Sequence, residues 1–358
     1  MELLKLNINF LRNLNAVEIE PDVHFNVFYG ENGAGKTSIL EAIHVLSNGR
    51  SFRGSKVNPL IQHTENKLWV TGKISQQGRT QQVGVERSKR GLLARIDGKS
   101  IKSILYLSEC FPTLALHPET FNFLSAEPAQ RRSFLDWGTF HEDPRFIDSW
   151  RLYRQSLKQR NSALRQGLSK KSITLWEPSM VEAGEYINKC RKEYISKLLA
   201  ELPALMNQFG QDHHIDIELK QGWSDHRGLR DSLEHSLEGD IKSGYTHPGP
   251  HRADVLVSLN THSIAHHASR GQLKLVTVLL KLAQCSLFVR RKGSSCILLL
   301  DDLAAELDRK YFLKVLDVII ELKLQSFITT IEPIRSLVGN KVPHKLFHVK
   351  HGLVNEVV

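Results

Sequence analysis

The segment Gly30-Glu31-Asn32-Gly33-Ala34-Gly35-Lys36-Thr37 fits the pattern Gly-x-x-x-x-Gly-Lys-Ser/Thr. It follows a run with strand character, His24-Phe25-Asn26-Val27-Phe28-Tyr29, and precedes a helical pattern with Ile39, Leu40, Ile43 and Leu46 on one face. Strand, glycine-rich turn and helix are the context that gives this pattern its chemistry. The glycines let successive backbone N–H groups converge on phosphate oxygens, and the helix beginning near Lys36 points the positive end of its dipole at them. Lys36 is placed to reach the β and γ phosphates of a nucleoside triphosphate, and the Thr37 hydroxyl to ligate Mg2+.

Such a cradle needs an acid for the metal. Cys296-Ile297-Leu298-Leu299-Leu300-Asp301-Asp302 is an apolar strand ending in two carboxylates. Asp301, at its carboxyl end, is expected to hold the magnesium, and Asp302 to orient or deprotonate the attacking water. Upstream lies Ala268-Ser269-Arg270-Gly271-Gln272, followed by an apolar helix from Gln272 to Leu287. Ser269 is a good N-cap residue. It could simply cap that helix, or with Gly271 and the helix start form a second anion site.

Around these motifs the chain divides by periodicity. Leu4, Leu6, Ile8 and Phe10 alternate as in a strand, and residues 50–102 carry short strand-like pieces separated by turns such as Gln76-Gln77-Gly78-Arg79. From about Pro128 to Leu202 the period is helical, with Pro178 as a break and Pro203 expected to end or kink the second helix. This predicts two long helices folding back on each other. The last third alternates helices with wholly apolar strands, the pattern of a parallel sheet covered on both faces. The expected organisation is an N-terminal head part (1–125), an inserted helical arm with a second lobe (126–245) and a C-terminal head part (246–358). The fold class is α/β, a mixed sheet covered by helices with an antiparallel β part.

Composition narrows the function classes. The 358 residues carry 41% hydrophobic and 24% charged residues and a net charge of +10, with a pI near 9.4. A disordered or fibrous chain is excluded. No uninterrupted apolar run approaches a membrane span, and the N-terminus lacks a signal peptide's pattern. The four cysteines, Cys110, Cys190, Cys285 and Cys296, are too dispersed for a zinc site or a redox pair and suit a reduced cytoplasmic protein. The basic excess favours a polyanionic partner and no membrane.

Cradle, Ser269 segment and acid-ended strand stand in an order that resembles the ABC-type ATPases. There, Ser269-Arg270-Gly271-Gln272 is similar to the signature motif, and Ala304-Ala305-Glu306-Leu307-Asp308 to the loop after the metal strand. The resemblance implies that Ser269, Arg270, Gly271, Gln272 and Asp308 serve the ATP bound to a second copy, so that two heads close around two ATP molecules. About 265 positions separate Lys36 from Asp301. The inserted arm is too long and basic for a transporter head and too short for a structural-maintenance or zinc-hook ATPase.

The chain most resembles the RecF family of bacterial recombination-mediator ATPases. The likeness is carried by Asn9-Phe10-Leu11-Arg12-Asn13, the cradle, Ala129-Gln130-Arg131-Arg132-Ser133-Phe134-Leu135-Asp136, Gly249-Pro250-His251-Arg252-Ala253-Asp254, the signature, and Asp301 to Asp308. It implies a weak, DNA-stimulated ATPase of gap repair and the SOS response, acting on duplex DNA and gap junctions as an ATP-dependent homodimer. RecO and RecR are the implied partners, and recombinase RecA the protein loaded. Arg12 is implied at the ATP. Three departures stand out. Ala268 replaces a common Leu, and His117-Pro118-Glu119 stands where a Gln would couple the lobes. Thr330 occupies a switch position that is His in transporters, and since a Thr can orient water but not titrate, hydrolysis is expected to be slow.

For the DNA contact, Arg151, Arg154, Lys158, Arg160, Arg165, Lys170 and Lys171 form a stretch without acids, and residues 50–102 hold twelve Lys/Arg against Glu65, Glu86 and Asp97. Either stretch is a solvated face or a track for the phosphate backbone without base reading. His247, His251 and Arg252 are expected at phosphates or a lobe interface. His235, His262, His266 and His267 read as turn or solvent-facing residues. Two rivals remain: another short-armed ABC-type ATPase coupled to a nuclease effector, and a monomeric P-loop phosphotransferase with an inserted lid, in which the signature would be superfluous.

Overall fold

The computed structural model describes all residues except 55–58, 77, 334–342 and 358. Lys56 of the basic stretch and Gln77 of the expected turn lie outside the described residues.

The chain opens with β1 (Glu2–Leu11), β2 (Leu14–Ile19), β3 (Phe25–Tyr29) and α1 (Lys36–Asn48). Then come β4 (Lys67–Gln76), β5 (Arg79–Ser88), β6 (Leu92–Ile96), β7 (Lys99–Ser100), α2 (Leu105–Cys110) and β8 (Thr113–Leu116). The helical stretch is α3 (Pro128–Glu142), α4 (Phe146–Arg165), α5 (Lys170–Thr174) and α6 (Glu177–Gln208). After it run β9 (Ile215–Lys220), α7 (Leu229–Ser243), β10 (Asp254–Leu259), β11 (His262–Ser263) and α8 (Ile264–His267). The chain closes with α9 (Arg270–Lys292), β12 (Ile297–Leu300), α10 (Leu303–Glu306), α11 (Arg309–Glu321), β13 (Ser326–Thr330), β14 (His344–Lys350) and β15 (Leu353–Val357).

These elements form two compact units, Met1–Asn122 with Lys274–Val358, and Phe123–Leu273. The second takes in residues 246–273, which the sequence reading grouped with the C-terminal head part. The first unit holds two six-stranded sheets. One is antiparallel, β2-β1-β4-β5-β6-β7. The other, β15-β14-β3-β13-β12-β8, is parallel from β14 to β8, with β15 antiparallel at its edge. Every residue of β12 is buried, because helices or the other sheet must cover both faces of a parallel sheet. Between the sheets α1 buries Ile39, Leu40, Ile43 and Leu46 completely, each side chain contributing roughly 2 kcal/mol. This mixed sheet, with its antiparallel companion and helical insertion, is the expected class.

The second unit is built on α4 and α6, whose Tyr153, Met180 and Ile187 share a core with Leu229 and Leu233 of α7. The three-stranded sheet β11-β10-β9 completes it. Two long helices were expected between Pro128 and Leu202; four segments are found. Asp143 is extended (φ −118, ψ 115) where α3 ends, because the following Pro144 disfavours a helical residue before it. Pro178 sits in the first turn of α6, where its missing N–H costs nothing. Pro203 does not end the helix, which continues to Gln208.

The helix α9 is long and apolar enough to cross a membrane by length and composition, yet two thirds of its apolar window is buried within the protein. That is how a core helix reads. Cys285 on α9 and Cys296 before β12, far apart in sequence, bring their sulfurs within 3.9 Å in the core as free thiols. Sequence separation did not measure distance across a helix and the strand it leads into.

Candidate functional site

The parallel sheet aligns the carboxyl ends of three strands. Leu300 pairs with Ile328, and Thr330 with Tyr29, so the turn after β3, the acids after β12 and the end of β13 share one edge. Ligands of open α/β sheets bind in the crevice outside such strand ends. Here it is a cleft of about 300 Å³, lined by Asn13, Asn32, Gly33, Gly35, Lys36, Thr37, Ser38, Arg53 and Asp302. Every lining residue belongs to the first unit.

The cradle's shape depends on glycine. Gly30 has φ +148, and a Cβ there would lie 2.2 Å from the Val349 carbonyl oxygen. Gly35, the N-cap of α1, has φ +116. Lys36 is 5% exposed, and its ammonium donates to the carbonyls of Gly30 (2.7 Å) and Glu31 (3.0 Å). Both partners are carbonyl oxygens, which an anion entering the loop can replace as acceptors. Asn13 fastens the loop from outside, donating to Gly33 O (3.3 Å) and Ala34 O (3.2 Å) while accepting from Ser38 Oγ (3.0 Å).

The metal end assembles from the start of α1, the end of β12 and β13. Thr37 Oγ1 donates to Asp301 Oδ1 at 2.8 Å, and Thr329 Oγ1 donates to the same oxygen at 2.8 Å. Burial pushes the Asp301 carboxyl above the usual carboxylate range, the two hydroxyls pull it back, and the Asp302 charge adds to the upward push. Asp302 sits at φ +50, and its N–H donates to Thr329 Oγ1 at 2.9 Å. A hydroxyl and a carboxylate oxygen 2.8 Å apart are close to the spacing of two adjacent oxygens around a magnesium ion with bonds of about 2.1 Å. The donor set of Thr37 and Asp301 therefore fits Mg2+.

Several expected residues are placed differently. The Thr330 hydroxyl donates to the Glu332 carbonyl (2.6 Å); its neighbour Thr329, which the sequence reading passed over, touches the carboxylates. Alternation along β13 sends the two adjacent threonines to opposite faces of the sheet. Arg12 gives its guanidinium to Glu41, Nη2 donating to Oε1 at 2.8 Å. Glu41 is fully buried on α1 and needs that counter-charge. Arg12 does not line the cleft; Asn13 and Arg53 do, and no pattern in the sequence singled out Arg53. His117 follows β8, 8% exposed, with its pKa pushed down to about 4 by burial and by the charges of Lys281 and Arg53.

At the signature, Ser269 and Gln272 bond reciprocally: Ser269 N–H donates to Gln272 Oε1 (2.9 Å), and Gln272 N–H to Ser269 Oγ (3.2 Å). This is a capping box at the start of α9. Arg270 and Gly271 form the exposed first turn behind it. Asp308 is the N-cap of α11 without a side-chain cap bond. Lys274 and Glu306 form an ion pair at 2.7 Å that ties the loop before Asp308 to α9.

Of the basic stretch, Arg151, Arg154, Lys158, Arg165, Lys170 and Lys171 are exposed. Arg160 is not: it is wholly buried, paired with Glu177 (2.9 Å) and Asp240 (2.7 Å). A DNA contact at Arg160 is thereby corrected, since the α4 face carrying it turns toward α6 and α7. His251 is also internal, its Nδ1 sharing a 2.6 Å hydrogen bond with Tyr153 Oη. His262 and His267 bring their rings within 5.9 Å, but no metal-binding group of His, Cys, Asp and Glu exists among the described residues.

The family described as RecF/RecN/SMC N terminal domain matches residues 2–353. A curated protein of Marinomonas sp. (strain MWYL1), "DNA replication and repair protein RecF", is 39% identical over 93% of this chain and 91% of its own length. The protein of the same name from Pseudomonas paraeruginosa is 36% identical, covering 99% of this chain and 98% of its own. Among solved structures, "the recombination mediator protein RecF-ATP in RecFOR pathway" superposes with a TM-score of 0.88 at 27% identity over 99% of both chains. An Smc head bound to the C-winged helix domain of ScpA shares the fold, with a TM-score of 0.59 at 14% identity.

Proposed function

This chain belongs to the RecF family, and from that premise we propose that it is an ATPase of DNA replication and repair whose ATP-bound heads pair and hold duplex DNA beside single-strand gaps. The observation that carries the reading is the junction of Thr37 with Asp301, which joins the glycine-rich turn to the acid-ended strand. Full-length similarity to RecF and likeness to an ATP-bound RecF structure support it.

In this mechanism Lys36 leaves the carbonyls of Gly30 and Glu31 for the β and γ phosphates, and the α1 N-terminus takes their charge. Thr37 and Asp301 hold Mg2+, which would neutralise charge developing on the γ phosphate. Asp302 orients the attacking water, and Thr329 holds the Asp301 carboxylate and the Asp302 backbone N–H in place. Ser269, Arg270, Gly271 and Asp308 of a second copy complete the pocket. In this reading hydrolysis is slow and is stimulated by DNA, as the resemblance to the RecF family implies. The exposed basic side chains of α4 and α5 follow the phosphate backbone. Handing the gap to RecO and RecR for RecA loading in the cytoplasm completes the proposed role.

The test uses Lys36→Ala and Ser269→Arg in sedimentation and duplex-binding assays. Wild type should dimerise with ATP and bind duplex in a salt-dependent way, and both variants should fail. Dimerisation and duplex binding unchanged in both variants would refute the gating.

A further inference from the structure

The second unit contains a recess that the ATPase cycle does not use. It has a volume of about 300 Å³ and is lined by Ser224, Arg227, Ser232, His235, Ser236 and His247 with the backbone of Gly222 and Pro248. The geometry comes from helical spacing: Ser232, His235 and Ser236 stand three and four positions apart on one face of α7 (Leu229–Ser243). The turn before α7 brings Ser224 and Arg227, and the Pro/Gly-rich turn brings His247.

One atom points to a ligand. Ser232 is 8% exposed, and its Oγ has no hydrogen-bond partner. Leaving a buried hydroxyl unpaired costs about 1–3 kcal/mol, which the fold has no structural reason to carry at a recess wall. The other lining groups have matching chemistry. Arg227 offers a guanidinium fork, the shape that grips phosphate oxygens. His247 is fixed through Nδ1 by Asp240, a buried carboxylate that Arg160 pairs with alongside Glu177. No carboxylate lines the recess among the described residues.

We propose that this recess binds the phosphate monoester at the end of a nucleic-acid strand, with Ser232 Oγ, Arg227 and the two histidines as its donors. That the phosphate arrives on a strand end rests on the nucleic-acid reading above; the anion site itself does not. Inorganic phosphate carries the same chemistry, so the test separates the two sources.

The readout is local: the rate at which diethyl pyrocarbonate modifies His235 and His247, followed by peptide mass spectrometry, with His262 as an internal reference. Inorganic phosphate and a gapped duplex ending in a 5′-phosphate should each slow modification several-fold in the full-length protein. The same duplex ending in a 5′-hydroxyl should not. Protection should vanish in Ser232→Ala and in Arg227→Gln. Ser232→Ala should fold normally, because it deletes an unsatisfied hydroxyl. Absence of protection by inorganic phosphate, or equal protection in Ser232→Ala, overturns the site. Equal protection by the two duplexes overturns the strand-end assignment. A protein that is protected by inorganic phosphate but binds neither duplex keeps the anion site and refutes the nucleic-acid function instead.

Discussion

Thr37 Oγ1 and Asp301 Oδ1 are hydrogen-bonded at 2.8 Å although 264 positions separate them. One lies at the start of α1 and the other at the end of β12, and the parallel order β3-β13-β12 brings them to one edge. The contact links the two halves of the cleft.

Removing that link should separate metal dependence from nucleotide affinity. Thr37→Ala is expected to raise the magnesium concentration needed for half-maximal turnover, with ATP still bound. Asp301→Asn should abolish turnover. A magnesium titration of phosphate release, beside fluorescence binding of a labelled nucleotide, reads both. An unaltered magnesium requirement in Thr37→Ala would remove Thr37 from the metal site.

Adjacent threonines provide a sharper comparison. Thr329→Val breaks the bond donated to the Asp301 carboxylate, worth about 1.5–3 kcal/mol as a bond to a charged group, and the bond accepted from the Asp302 backbone N–H, worth about 0.5–1.5 kcal/mol. Turnover should fall at least tenfold, about 1.4 kcal/mol in the barrier. Thr330→Val loses only a bond to the Glu332 carbonyl and should change turnover much less. Steady-state kinetics of the two variants decide; the reverse order would return the role to Thr330.

The basic stretch of α4 should divide into two kinds of residue. Arg160→Leu strands the buried Asp240 carboxylate and should cost about 3–5 kcal/mol of stability. Arg154→Gln and Lys158→Gln, both exposed, should leave stability within about 0.5 kcal/mol. Each should lower the salt dependence of duplex binding by about one unit of slope. Urea denaturation and binding at several salt concentrations measure the two effects.

Acid should destabilise the fold through buried imidazoles. His44 is held down to about 3 and His117 and His251 to about 4, burial being the first cause in all three. Each is neutral in the folded chain and protonates near pH 6.5 in the unfolded one. The unfolded state then binds more protons below pH 6.5, so stability falls as pH drops from about 6.5 toward 4, by up to about 1.4 kcal/mol per unit for each group. His44→Gln should flatten this slope when unfolding free energy is measured across that range. An unchanged slope would show that His44 is charged inside the fold.

Much of the site was readable along the chain. The glycines from Gly30 to Gly35 announce themselves because the turn tolerates nothing else, as the Val349 carbonyl beside Gly30 shows. Asp301 and Asp302 were readable because a wholly apolar strand ending in acids has few other uses. Arg53 was not: one arginine after α1 looks like any other until its neighbours in the cleft are known. The recess on α7 was invisible for the same reason, since three serines, an arginine and two histidines scattered over 24 positions carry no pattern.

Sequence by itself determined the α/β class and the glycine-rich turn and acid-ended strand that meet at the cleft, because local backbone conformation and the period of apolar residues are properties of neighbours in the chain. Tertiary structure alone decided which of two threonines meets the carboxylates, that Arg160 is an internal ion-pair partner, and that Cys285 meets Cys296. Those outcomes depend on which face of a strand or helix turns inward, and that is settled by the packing of segments far apart in sequence.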